Sequence, residues 1–296
     1  MANKRTRERQ LAKLAARRQA ERSAQVHRRN RTIAAGAGVL TAVVVVLIGL
    51  QFIDSSGKPA ASPTVSPTPR PGSKIGTVKP VVQPPTRVAC GATAPKDSGA
   101  AKPQFTAPKM TIDPKATYTA DIVTSCGTIT VELLPKIAPD GVNGFVFLAK
   151  KGFFDGLTFH RIVSGFVIQS GDPKGDGSGG SGYDLPITTS KKVSFDKAGY
   201  LAYAHSSAGG NQSQFFITLD ALPNLDPPSQ QFTIFGRVTA GMDVVDRIAA
   251  VPTTKGTGCA SATEKCVPKQ AVYIDSVRVH ATGLTRPSGT PSPSPS

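Results

Sequence analysis

The densest run of chemistry-bearing side chains in this 296-residue chain is residues 159–173, FHRIVSGFVIQSGDP. Arg161 brings a guanidinium that stays charged and offers several directed N–H donors. Gln169 brings a carboxamide, and Phe166 and Val167 stand between them. Residues 213–218 (SQFFIT) and 233–238 (TIFGRV) add more phenylalanines, with Gln214 just before the first pair. Other motifs carry less. Gly177, Gly179 and Gly182 spell the letters of a dinucleotide fingerprint, but no strand feeds them and no helix follows to hold a pyrophosphate, so they read as a flexible loop. Ser164 is not in a G-x-S-x-G elbow. His160, His205 and His280 are too scattered to argue a triad, and Asn211-Gln212-Ser213 matches a glycosylation sequon. With no Cys-x-x-Cys pair and no histidine ligand spacing, no metal is expected.

The elements that must position these residues are mostly strands. Residues 118–125 (YTADIVTS) and 128–134 (TITVELL) alternate apolar and polar side chains, with Cys126-Gly127 between them as a turn. Residues 138–151 place Val142, Phe145, Val146 and Ala149 at helical spacing behind Pro139. Further strands are expected at 157–163, 166–169, 200–204, 214–219, 233–238 and 272–280, and a second short helix at 243–250. Many short strands with Gly-rich turns predict a mainly β fold, a closed antiparallel barrel. Of the four cysteines, Cys90, Cys126, Cys259 and Cys266, three pairings are possible. Sequence proximity favours Cys90–Cys126 with Cys259–Cys266.

Taken together, FHRIV-x-GF-x-IQ-x-GDP, a Gly-rich loop, QFFI and FG-x-V resemble the cyclophilins in order and spacing, over residues 118 to about 280. The resemblance implies an eight-stranded antiparallel β-barrel capped by two α-helices, with peptidyl-prolyl cis-trans isomerase activity and no cofactor. It implies Arg161 as the donor to the prolyl nitrogen and Gln169 as the residue that binds a substrate carbonyl and orients the arginine. Phe166, Val167, Phe216, Leu225 and Phe232 would form the proline pocket. Ala204 and His205 would bind the residue before proline through their backbone, and Gln214 would lie near the substrate chain. The chemistry is coherent: the amide barrier of about 18–20 kcal/mol comes from C–N double-bond character, and rotation returns the lone pair to nitrogen. A donor aimed there stabilises the twisted state above either planar one. Val167 stands where many cyclophilins have Met, and His205 where they have Asn. Asn224 beside Leu225 stands where animal members carry a cyclosporin-binding Trp, so weak cyclosporin binding is expected. A module that holds Pro-containing segments without turnover is the alternative; the intact Arg161, Phe166 and Gln169 argue for turnover.

The net charge of +16 invites a nucleic-acid reading, but residues 1–31 hold eleven Lys and Arg against two Glu, a net +9. That tail has no interleaved aromatics for base stacking, which argues against nucleic acid. An uncharged run follows at 32–53, TIAAGAGVLTAVVVVLIGLQFI. As a helix it would reach about 33 Å, enough for a bilayer core of roughly 30 Å. No A-x-A-like site follows it, so a retained transmembrane signal anchor is expected. The basic flank places the N-terminus in the cytoplasm, against anionic lipid, and everything after residue 53 outside the cell membrane. Residues 54–89, rich in Pro, Ser and Thr, read as an extended linker. Residues 90–282 would be the isomerase domain, acting on proline-containing polypeptides outside the membrane, and 283–296 a disordered tail.

Overall fold

Alternation sets the strands and helical spacing the helices, in the order β1 (Lys74–Val78), β2 (Lys102–Phe105), β3 (Thr117–Thr124), β4 (Gly127–Leu133), α1 (Pro139–Lys150), β5 (Arg161–Val163), β6 (Val167–Ser170), β7 (Tyr200–His205), β8 (Asn211–Thr218), β9 (Ile234–Ala240), α2 (Met242–Ala249) and β10 (Ile274–Thr282). This computed structural model describes residues 70–205, 210–227, 231–254 and 266–284. All lie within the unit Pro67–Ser296. The expected anchor at 32–53, the basic tail at 1–31 and most of the C-terminal tail fall outside the described residues. Among the described residues no helix is long and apolar enough to cross a membrane.

Eight strands form one antiparallel sheet in the order β10-β3-β4-β9-β7-β8-β6-β5. The fold is mainly β with two helices, as expected, but β5 and β10 do not pair along their length to close a barrel. The sheet curls until its ends meet through the segment ahead of β5. Phe159 N–H donates to Val272 O at 2.9 Å, Ile274 N–H to Leu157 O at 2.8 Å, and a single bridge joins Thr158 to Tyr273. The predicted strand at 157–163 is thus two short pieces.

The curled sheet encloses a core drawn from its inward faces. In β3 these are Tyr118, Ala120 and Ile122; in β4 they are Ile129, Val131 and Leu133. Helix α1 starts on Pro139, whose missing N–H is no loss in a first turn. It buries Val142, Phe145, Val146 and Leu148. Phe145 meets Phe154, Phe215 and Phe235 at ring separations of 5.1, 5.7 and 5.2 Å. The helix comes in so close that a Cβ on Gly144 would lie 2.4 Å from Leu185 Cδ1. A second apolar cluster, built on Val167, Phe195, Ala202, Phe216, Leu225 and Ile234, lies on the opposite face of strands β6 to β9.

The ordered structure reaches further toward the N-terminus than the boundary at residue 90. Residues 74–78, placed by composition in the linker, form β1 and pair antiparallel with β2. Val78, Ala89 and Phe105 are buried, and Phe105 packs edge-on against Phe147 of α1 at 5.2 Å. Lys102 donates its Nζ to the carbonyl of Asp155. Asn143 of α1 accepts from Thr111 N–H at 2.9 Å and donates to Lys109 O at 3.0 Å. Composition misled because this stretch finds its apolar partners in the core of the curled sheet and on α1. Cys90 and Cys126 form a disulfide with Cα atoms 5.2 Å apart. Cys266 is disulfide-bonded as well, and Cys259 lies outside the described residues.

Candidate active site

The site grows from a hairpin. Strands β5 and β6 are joined by a tight turn in which Gly165 takes φ +68° and Phe166 N–H returns to Val163 O at 3.0 Å. The register pairs Arg161 with Gln169. Across the next strands it pairs Gln169 with Phe216, Phe216 with Ala202, and Ala202 with Ile234. Opposed residues in an antiparallel ladder project from the same face. One lateral row over five strands therefore carries the guanidinium, the carboxamide and the aromatic floor. Ile162 and Ile168, one residue out of phase, point into the main core.

Arg161, Phe166, Val167, Gln169, Ala204, His205, Phe216, Leu225 and Phe232 line a single cavity of about 400 Å³. Val167, Phe216 and Leu225 are buried at its floor, and Phe166 and Phe232 stand half-buried at its walls. Phe232 meets Phe216 edge-on at 5.4 Å and stacks on His205 at 4.6 Å. His205 Nε2 donates to Gln231 O at 2.7 Å, which fixes the ring against the wall. Leu225 is set by a one-turn 3₁₀ helix, Pro223–Leu225, and Asn224 points to solvent. The Arg161 guanidinium carbon lies 5.9 Å from the Phe166 ring centre, in reach of its π face. Burial lowers its proton affinity from the ordinary arginine value, but a guanidinium keeps its charge through the physiological range.

The expected Gln214 does not line the cavity. It is buried one layer back, where a line of hydrogen bonds ends. Arg161 Nη1 donates to Gln169 Oε1 at 3.2 Å, and Gln169 Nε2 donates to Gln214 Oε1 at 2.9 Å. Gln214 Nε2 donates to Gly177 O at 3.0 Å and Gly179 O at 2.8 Å. An arginine can only donate and a carbonyl can only accept, so both carboxamides are held in one orientation.

Sequence reasoning missed the support beneath this line. The glycine loop, read as flexible, is organised around the buried carboxylate of Asp172. Asp172 accepts from the N–H groups of Lys174 at 2.8 Å, Gly177, and Gly179 at 3.0 Å. A Cβ on Gly179 would lie 2.2 Å from Asp172 Oδ1, so the glycine is required for the wrap. Phe195 was also missed; it is fully buried behind Phe216 and Phe232, at ring separations of 6.0 and 6.5 Å. The signal for Asp172 was its place at the head of a glycine run, and Phe195 had none. Asn211 is fully buried and donates to Thr233 Oγ1 at 2.9 Å and Pro186 O at 3.0 Å, which closes the sequon to a modifying enzyme.

Comparison with known proteins agrees with this geometry. The family model described as cyclophilin type peptidyl-prolyl cis-trans isomerase/CLD matches residues 119–279. A peptidyl-prolyl cis-trans isomerase of Helicobacter pylori is 41% identical over 131 residues, covering 44% of this chain and 78% of the relative. Peptidyl-prolyl cis-trans isomerase CYP18-2 of Arabidopsis thaliana is 38% identical over 156 residues, covering 52% of this chain and 87% of its own. Among solved structures, a cyclophilin type peptidyl-prolyl cis-trans isomerase of Cryptosporidium parvum superposes with a TM-score of 0.50 at 26% identity. It covers 56% of this chain and 99% of the other.

Proposed function

Because this chain belongs to the cyclophilin-type peptidyl-prolyl cis-trans isomerases, we propose that it turns X-Pro bonds in exported and cell-envelope polypeptides, with Arg161 donating to the prolyl nitrogen. The observation that carries the mechanism is the placement of Arg161 at the edge of an apolar cavity, its guanidinium fixed by Gln169.

The proline ring fills the space between Phe166, Val167, Phe216, Leu225 and Phe232, and the preceding residue lies along the backbone of Ala204 and His205. As the C–N bond twists, resonance is lost and the nitrogen becomes a hydrogen-bond acceptor. A charged donor beside it strengthens as the acceptor forms, so the twisted state gains more than the planar ground states. Gln169 holds the fork through Oε1, which leaves the geometry set before substrate arrives. Neither a covalent intermediate nor a metal enters the step. Uncatalysed isomerisation takes roughly 10–100 s, slow enough to limit folding of exported chains.

The location follows from the charge and length of residues 1–53: a single-pass membrane anchor, N-terminus cytoplasmic, holding the catalytic domain outside through the Pro-rich linker. Two experiments test the proposal. Cis-to-trans conversion of a proline peptide by the full chain should fall toward background in Arg161→Ala; unchanged turnover would reject the mechanism. In intact cells, an impermeant thiol reagent should label Ser66→Cys and spare Ser23→Cys; the reverse pattern would reject the topology.

A further inference from the structure

The family model begins at residue 119, yet an N-terminal stretch grips the loop on which the catalytic hydrogen-bond line ends. Lys174 O accepts from both Val81 N–H at 3.0 Å and Val82 N–H at 3.1 Å. At the other end of the same loop, Phe105 N–H of β2 donates to Ser181 O at 2.8 Å. Between the two grips lie Gly177 and Gly179, whose carbonyls receive the amide of Gln214. The fit is close at both ends. A Cβ on Gly175 would come 3.3 Å from Val82 O, and one on Gly182 would come 2.9 Å from Gln104 Cβ. The strap is itself tied down. Ala89 N–H donates to Ala271 O at 2.9 Å and Ala271 N–H to Arg87 O at 2.8 Å. Next to them Cys90 is bonded to Cys126 at the β3–β4 turn. Cys90 is also the one non-glycine with positive φ (61°) among the described residues, a conformation the surrounding ties must maintain.

We propose that this strap, residues 81–91 together with β2, is a positioning element for catalysis. Through Lys174 and Ser181 it fixes the glycine loop, through the loop Gln214, and through Gln214 and Gln169 the guanidinium of Arg161. The proposal rests on Arg161 acting as the donor. The physical reason is entropic. Residues 174–182 include five glycines, which have more backbone freedom to lose than any other residue type. The two carbonyls at Gly177 and Gly179 can hold Gln214 only if their positions are set from outside. A donor displaced by about 1 Å costs on the order of 10²-fold in rate, so small loosening is visible in turnover.

The test uses the purified full chain in detergent. Specificity constants for a proline peptide are measured for wild type, for Cys90→Ser with Cys126→Ser, and for Val82→Pro, which deletes one of the two strap donors to Lys174. Each is repeated with Gln214→Ala, and Arg161→Ala is the reference. Peptide affinity and thermal midpoint are recorded in parallel. Each strap variant should lower kcat/KM by about 3–10-fold with peptide affinity held within about 3-fold, and add nothing further once Gln214 is Ala. If the cysteine pair variant does not fold, Val82→Pro decides alone, since its other contacts remain. Unchanged kcat/KM, or losses that multiply with that of Gln214→Ala, would overturn the positioning role while Arg161→Ala still abolishes turnover. Full activity in Arg161→Ala would instead bring down the underlying donor assignment, and this inference with it.

Discussion

Gln169 accepts from Arg161 and donates to Gln214, so one carboxamide transmits a fixed polarity from the cavity wall to the carbonyls of Gly177 and Gly179. Each bond in the series has its donor dictated by the bond behind it. That dependence makes the site sensitive to changes that leave shape intact.

Gln214→Glu is nearly isosteric but turns the last donor into an acceptor. One carboxylate oxygen could still accept from Gln169 Nε2, but the other would face the carbonyls of Gly177 and Gly179, leaving buried acceptors unpaired at about 1–3 kcal/mol. Turnover should fall by roughly 10–100-fold, more than in Gln214→Ala. Steady-state kinetics of the two variants, compared side by side, check the order.

Gly171 sits where β6 passes into the Asp172 loop, at φ +83°, and a Cβ there would lie 2.2 Å from Ser213 O. Both the conformation and the contact are with backbone that cannot turn aside. Gly171→Ala should cost about 2–3 kcal/mol of stability and displace Gln214 along with Ser213. Denaturant unfolding should show it as a lower midpoint. Gly177→Ala, whose Cβ would meet nothing within 4 Å, should cost less despite φ +87°.

His160 is buried beside Arg161, and burial, with the neighbouring arginine charge, holds its pKa down to about 4 against opposing pulls from Asp172 and Asp176. Its value in the unfolded chain is about 6.5. As pH falls below 6.5 the unfolded state takes up a proton that the folded state refuses until about 4. Stability therefore falls across that window and levels off beneath it, by about 3 kcal/mol at most. Unfolding free energies at pH 7.0, 5.5 and 4.5 should drop more steeply for wild type than for His160→Gln. Parallel curves would mean that His160 carries no such penalty.

The β5–β6 hairpin was legible because its signal is local: an arginine, a turn and a glutamine within nine positions, flanked by alternating residues. Phe216, Leu225 and Phe232 were placed only through resemblance, since their meeting depends on the β6–β8–β7 register and no nearby residue encodes it. Gln214 was expected near the substrate chain; its bond to Gln169 from behind the cavity lining was not foreseen, because a side chain's depth within a layer leaves no mark on spacing. The strap was illegible for a different reason. Its grips at Val81, Val82 and Phe105 use backbone N–H groups, which nearly every residue has, and its sequence reads as spacer. Sheet closure failed as an expectation because the ends join by isolated bonds near Thr158, not by a strand pair.

Arg161→Lys tests the donor assignment most directly, because it keeps the positive charge while removing the planar fork that Gln169 holds. Specificity constant and peptide affinity should be measured on the same preparation. Donation by the guanidinium requires kcat/KM to fall by about 10²–10³-fold with affinity changed by less than about 3-fold. Turnover close to wild type in Arg161→Lys, or a loss lying wholly in peptide affinity, would contradict it.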